Sequence, residues 1–355
     1  MMKPLPIRLY NSLSREKEWL FSPENLLPGQ VVKFYTCGPT VYDYAHIGNF
    51  RTYIFEDLLR RTLLFFGYFV QQAMNLTDVD DKTIKGAIRE DLSLADFTAR
   101  YKKAFFDDLS ALFIQPVEFY PEATEYLPAM IEMISTLLDK GIAYQGGDGS
   151  IYFAIQRFAK YGRLSHLPME QLKAGASERV ASDEYDKETV ADFVLWKKYD
   201  PKRDGPIFWE SPFGPGRPGW HIECSARATH LLGETLDIHA GGIDNLFPHH
   251  ENEIAQSEGC TNKTFVRIWM HAEHLLVDNR KMAKSAGNFY TLRDLLKKGY
   301  TGAQVRYLLL QTHYKTPLNF TFQALDAAKN SLERLKSCTR RLQALDAMIS
   351  SLDAE

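Results

Sequence analysis

The segment Cys37-Gly-Pro-Thr-Val-Tyr-Asp-Tyr-Ala-His46-Ile-Gly48-Asn49 constrains the fold more than any other part of the chain. Before it, Val31-Val-Lys-Phe-Tyr-Thr36 is β-branched and aromatic, which predicts a strand. After it, Phe50, Tyr53, Ile54 and Leu58 share one face at helical spacing. A strand, a glycine-containing turn and a helix N-terminus together make a seat for a phosphate. Cys37 lies nine residues ahead of His46, so a metal held there would share a pocket with a nucleotide.

The alternation continues along the chain. Gln71-Gln-Ala-Met-Asn-Leu-Thr77 reads as a second strand, followed by the polar run Asp78-Val-Asp80-Asp81-Lys82. A helical pattern then runs through Leu94, Phe97, Tyr101, Phe105 and Leu109. Between about residues 116 and 218 the texture changes to aromatics, glycines and charges, with a hairpin signal at Gly146 to Ala154. Strand texture returns at Leu236-Asp-Ile-His-Ala240 and Phe265-Val-Arg-Ile-Trp269. The final stretch is helical, with Leu325, Ala328, Leu332, Leu335, Leu342 and Leu345 at steps of three and four. The expected fold is α/β: a Rossmann-like parallel-sheet catalytic domain split by an insertion, followed by a C-terminal helical segment. Its parts are 1–115 and 219–290 for the two halves, 116–218 for the insertion, and 291–355 for the helical remainder.

At 355 residues and 45% hydrophobic, the chain can bury a core for two or three domains. A net charge of -3 excludes a generally basic nucleic-acid coat but allows a local basic surface. No basic-plus-apolar export signal opens the sequence, and the run Leu63 to Val70 is too short to span a bilayer. The expectation is a cytoplasmic protein with no membrane attachment. Four scattered cysteines then serve metal, catalysis or packing rather than disulfides, and Cys260 and Cys338, lacking partners nearby, read as core.

Cys224 lies in Trp220-His-Ile-Glu-Cys224, and His249 and Glu253 lie in Phe247-Pro-His249-His-Glu-Asn-Glu253. Residues four apart on a helix share a face, so His249 and Glu253 can converge on one ion. With Cys37 they form a borderline-soft donor set that suits Zn²⁺. Spacing alone leaves open the alternative of buried thiols and a surface His–Glu pair. Three segments point to ATP. His46-Ile-Gly48-Asn49 offers free N–H groups, a positive dipole end and an imidazole donor. Gly241-Gly242-Ile-Asp244 ends a strand with close-approach glycines and a carboxylate for ribose hydroxyls. Lys281-Met-Ala-Lys284-Ser sets two cations in a loop suited to a developing pyrophosphate.

In that order, separated by an insertion, these motifs resemble those of the class I aminoacyl-tRNA synthetases, and the longer blocks resemble their cysteine-specific branch. His46-Ile-Gly48-Asn49 is similar to the family's His-Ile-Gly-His motif, and Lys281-Met-Ala-Lys284-Ser to its Lys-Met-Ser-Lys-Ser loop. The likeness covers about residues 8–335. It implies one zinc on Cys37, Cys224, His249 and Glu253 that binds the substrate thiolate, and Thr77 and Trp220 lining the amino-acid pocket. It further implies catalysis by His46, Asn49, Lys281 and Lys284, and ATP contacts at Gly48, Gly241, Gly242, Asp244 and Lys284. Implied partners are ATP with Mg²⁺, L-cysteine and tRNA(Cys), acting on a monomer. Shape alone rejects an isostere such as serine by only ~10²-fold, so a zinc–thiolate bond would supply the selectivity and the insertion need not edit. Two alternatives share the core: a cysteine ligase of mycothiol synthesis with an amino-sugar acceptor, and a catalytically dead zinc-binding relative. The chain departs from the family at Asn49, at Ala283, and in reaching only the first long helix of the anticodon-binding region.

Overall fold

The computed structural model describes residues 3–167, 192–283 and 287–352, the last six without side chains. The chain opens with an antiparallel hairpin, β1 (Arg8–Asn11) and β2 (Glu16–Trp19). Strand β3 (Val31–Thr36) then leads through the Cys37–Ala45 turn into helix α1 (Ile47–Phe65), and β4 (Phe69–Met74) returns parallel to β3. The predicted second strand is therefore shifted: Asn75 to Thr77 lie beyond its end, and Thr77 bridges Thr40 instead. Helices α2 (Asp81–Arg89) and α3 (Leu94–Ala111) follow, and residues 119 and 122 bridge the β4 side of the sheet.

Helix α4 (Leu127–Asp139) precedes an antiparallel sheet of β5 (Ala143–Gln145), β6 (Ile151–Phe153), β7 (Phe193–Lys198) and β8 (Gly216–Pro218). It is tied to α2 by Asp81, which pairs with Lys197 at 3.0 Å and with Arg217. Helix α5 (Trp220–Leu232), β9 (Leu236–Gly242), α6 (Glu251–Thr261) and β10 (Val266–Ala272) complete the parallel sheet, in the order β10-β9-β3-β4. A smaller sheet of β11 (Leu275–Val277), β12 (Arg280–Lys281) and β13 (Leu318–Phe320) carries the lysine segment. Helices α7 (Leu292–Lys297), α8 (Gly302–Leu310) and α9 (Phe322–Leu352) close the chain.

The alternation of a strand sorts side chains to two faces. Val32, Phe34, Ile238, Ile268 and Met270 pack with Phe55 and Leu59 of α1. Tyr35, Cys37 and Trp269 instead share a cluster with Met130, Ile134, Ile222 and Ile254 of α4, α5 and α6. Parity thus sends Cys37 to the side where α5 and α6 lie. The helical stripe of α9 is buried only at its start: Leu325 and Ala328 are enclosed, whereas Leu335, Leu342 and Leu345 are exposed. Cys338 is exposed as well, which corrects its reading as a core residue, while Cys260 is half-buried against the first cluster. No helix among the described residues is long and apolar enough to cross a membrane.

One core position runs against stability. Glu56 of α1 is fully buried, and neither carboxylate oxygen has a hydrogen-bond partner among the described residues. Burial raises its pKa well above the ordinary range. A raised folded pKa means that its contribution is most favourable below the unfolded value of about 4.3 and is lost as pH rises through the folded one. Glu56→Gln should therefore match the parent near pH 4 and exceed it at pH 8, and Glu56→Leu should add on the order of 1–3 kcal/mol. Thermal melts at the two pH values check this; a Gln variant less stable at pH 8 would overturn it.

Candidate active site and metal centre

A cavity of about 330 Å³ opens at the C-terminal ends of β3 and β9. Its lining includes Cys37, Thr77, Trp220, Cys224 and His249 on one side, and His46, Gly48, Asn49, Gly242, Asp244 and Lys281 on the other. Crevices outside the strand ends at a switch in strand order are where open α/β sheets bind ligands.

The phosphate side is built by α1. His46 caps the helix: its Nδ1 accepts from Asn49 N–H at 3.1 Å, and Asn49 Oδ1 accepts from His46 N–H at 3.1 Å. A ring that accepts at Nδ1 carries its proton on Nε2, so His46 is set up as a donor there. The expectation of several free amides narrows, because Ile47 N–H donates to Tyr290 O at 3.0 Å. Gly48 is left as the first-turn amide without such a partner among the described residues. An added Cβ on Gly48 would lie 2.9 Å from the His46 ring and 3.0 Å from Met282, so glycine lets the lysine segment close on the helix end.

Asp244 sits 3.3 Å from His274 Nδ1 and 3.9 Å from Lys281 Nζ. Gly241 is not in the cavity lining; a Cβ there would press on the His250 ring at 2.9 Å, so its smallness serves the histidine behind it. Lys284 lies outside the described residues. Around Ala283, Asn288 accepts from Ala283 N–H at 2.9 Å and donates to Lys281 O at 3.1 Å. An amide bracket thus steadies the segment where the family pattern has a serine hydroxyl.

On the other side, the donor atoms of Cys37, Cys224, His249 and Glu253 all lie within 4.8 Å of one another, and all four residues are buried. Pairing with Cys224 pushes the Cys37 thiol well up and pairing with Cys37 brings Cys224 well down, while Cys37 Sγ lies 3.3 Å from His250 Nε2. Burial works to lower His249, but Glu253 and Cys224 outweigh it and raise it to about 10. Burial works against the Glu253 charge, yet His239 and His249 bring it to about 2. Glu253 Oε1 is 3.1 Å from His249 Nε2 without making a hydrogen bond. The two atoms face each other unaligned, as ligands to a common ion would once the metal takes the place of the imidazole proton. His249 turns its Nδ1 to His221 Nδ1 at 2.8 Å, which leaves Nε2 for that ion.

Trp220 stacks on the His249 ring at 4.3 Å and is partly exposed, so it forms the wall above the donor set. Thr77 Oγ1 accepts from Asn75 Nδ2 at 3.3 Å beside the Cys37–Thr40 turn. Sequence reasoning missed the supporting shell. Arg227 lies 4.0 Å from Cys224 Sγ and donates to Leu76 O and Pro121 O. His239 Nε2 donates to the Glu253 carboxylate at 3.0 Å, and His250 and His271 meet at 2.8 Å. A second group, Cys37, His239, His250 and Glu253, shares two members with the first. The only signal was parity: His239 and His271 alternate with the residues packed on α1.

Residues 24–330 match the family model described as tRNA synthetases class I (C) catalytic domain. The chain is 66% identical over 349 residues to a cysteine–tRNA ligase of Protochlamydia amoebophila, covering 98% of this chain and 72% of that relative. It is 62% identical to the Chlamydia muridarum cysteine–tRNA ligase (94% and 69% covered) and 59% to that of Chlamydia pneumoniae (95% and 70%). Among solved structures, Mycobacterium tuberculosis methionyl-tRNA synthetase with methionyl-adenylate matches with a TM-score of 0.62 at 16% identity, over 85% of this chain and 68% of that one. That level of likeness establishes the Rossmann-like fold of the class. With the family match over most of its length and relatives above half identical, the chain belongs to the cysteine–tRNA ligase family of class I tRNA synthetases.

Proposed function

We propose that the chain joins L-cysteine to ATP, giving cysteinyl-adenylate and pyrophosphate, and transfers the cysteinyl group to tRNA(Cys), with Cys37, Cys224, His249 and Glu253 holding one zinc ion. The observation that carries this reading is the meeting of Cys37, Cys224 and His249, with Glu253 buried beside them, and His46, Gly48, Asn49, Asp244 and Lys281 around one cavity. The relatives' shared name supports the same acceptor. Bound zinc would supply a soft Lewis acid that takes a thiolate in preference to a hydroxyl.

The chain's own residues account for the rest. Trp220 and Thr77 enclose the amino acid beside the donor set, with its carboxylate directed toward the helix end. Asp244 accepts from the ribose, and Gly242 leaves room for the nucleoside. The cysteine carboxylate attacks the α-phosphate in line, a P–O bond forms, and the bond to pyrophosphate breaks. His46 Nε2–H, Gly48 N–H and Lys281 meet the charge that grows on the phosphate oxygens, with Lys284 and Mg²⁺ on the leaving group. The work of the protein is positioning and charge stabilisation. We further propose a monomer acting in the cytoplasm, divided near residues 115, 218 and 290, in which the 116–218 insertion supports the tRNA acceptor rather than editing.

Cysteine-dependent ATP–pyrophosphate exchange, with serine as control, tests the activation step. Exchange with cysteine, and exchange with serine weaker by more than the ~10²-fold that shape alone supplies, is expected; absence of exchange in zinc-replete protein favours the dead core, and equal exchange with serine refutes thiolate selection. Charging of tRNA(Cys) separates the ligase from a relative that transfers only to an amino-sugar.

A further inference from the structure

We infer that Arg51 is a positioning residue that sets the distance between the phosphate end of α1 and the lysine segment. Arg51 lies on α1 one turn beyond Ile47 and is 3% exposed. Among the described residues its guanidinium makes no ion pair within 4 Å; it donates to four main-chain carbonyls. Nε donates to Glu273 O at 3.1 Å, Nη1 to Leu309 O at 3.3 Å, and Nη2 to His313 O at 3.2 Å and Thr316 O at 2.6 Å. Those carbonyls come from the end of β10, the end of α8 and the turn before β13.

The same strands are locked to one another beyond the guanidinium. Glu273 N–H donates to Tyr314 O at 2.8 Å and Leu318 N–H to His274 O at 3.0 Å, and β11 pairs in parallel with β13. Strand β12, which holds Lys281, pairs only with β11 in this sheet. On the other side of the lysine segment, Tyr290 O accepts from Ile47 N–H and the Phe289 ring meets the His46 ring edge-on at 5.2 Å. Helix α1 therefore holds the segment at both ends: through Ile47 and His46 after it, and through Arg51 before it. Only a planar fork with five donors spans four carbonyls at once. Lysine has three donors on one atom and cannot reach all of them.

The consequence concerns chemistry more than binding. A displacement of about 1 Å between catalytic groups costs on the order of 10²-fold in rate, whereas of the donor set only Cys37 lies on the approach to α1: Cys224 lies on α5, and His249 and Glu253 lie just before and on α6, away from the carbonyls that Arg51 holds. The inference rests on the activation reading above, so its test has one arm that needs activity and one that does not. In pyrophosphate exchange, Arg51→Lys should lose about 10²-fold in kcat with KM for cysteine within about threefold of the parent. In Arg51→Ala, added guanidinium should restore part of that loss. Independently, amide hydrogen exchange in Arg51→Lys should quicken about tenfold at residues 275–281 and 313–318, and stay unchanged in β9 and α6. A lysine variant with parental kcat and parental exchange overturns the inference, as does a uniform rise in exchange across the catalytic sheet. If the parent itself shows no pyrophosphate exchange, the activation reading fails, and the amide-exchange pattern still decides the clamp.

Discussion

Cys224→Ser should strip the chain of its metal and lower cysteine activation on the order of 10³-fold, ~4 kcal/mol of transition-state stabilisation. Cys224 is the member of the set whose pairing with Cys37 brings it well below the ordinary thiol range, which favours its thiolate as a ligand. A serine hydroxyl fits the space but does not ionise there. The fold should survive, because Arg227 keeps its hydrogen bonds to Glu223, Leu76 and Pro121 when the sulfur is gone. Metal content by mass spectrometry, read beside exchange with cysteine and with serine, checks the result. Discrimination between the two amino acids should shrink with the metal. A variant that kept a full complement of metal and parental discrimination would sink the proposed ligand set.

The second large effect is at His46, where one ring has two jobs. As a cap, Nδ1 accepts from Asn49 N–H, and losing such a cap costs about 1 kcal/mol. As a donor to the phosphate, Nε2–H should contribute about 10²–10³-fold to the rate. His46→Asn separates them, since asparagine caps helices well and does not reproduce the imidazole donor at that reach. The expected outcome is a melting temperature near the parent's with kcat for activation down about 10²-fold or more. His46→Ala should lose both. Parental kcat in the Asn variant would leave His46 as a cap only.

Much of this site was legible in the sequence because its pieces are local. The turn from β3 into α1 is written in contiguous residues, and the reciprocal cap between His46 and Asn49 spans three positions. His249 and Glu253 could be placed on one face from spacing alone, and the hairpin near Gly146 follows from its turn residues. Asn49, a departure from the family's histidine, is the side chain that closes the capping box. The supporting residues were not legible. Arg51, Arg227, His239, His250 and His271 each stand alone in sequence, and their partners lie far along the chain: Arg51 reaches a carbonyl 265 residues away. Glu251 and Asn252, between His249 just before α6 and Glu253 on it, carry no local signal of their partners either. Glu251 accepts from the amides of Gly162, Leu164 and Ser165, and Asn252 from the Tyr161 hydroxyl, so the helix that carries Glu253 also holds the stretch 161–165.

By itself the sequence determined the elements, their caps and the chemical types available: two thiols, a His–Glu pair, a helix end and two lysines. Only the tertiary structure decided that Cys37, Cys224, His249, the α1 end and Lys281 line one cavity, with Glu253 buried beside its thiols and imidazole. The deciding step is the pairing of β9 with β3, which sets Tyr35 against His239 and Thr36 against Ala240. Strands alternate their side chains with a period of two, so a slip of one residue would turn every side chain of the strand to the opposite face. In the observed register Cys37 and His239 face α5 and α6, while Phe34 and Ile238 face α1. Register between strands some two hundred residues apart is set by how both faces pack, and no local stretch of the chain contains that information.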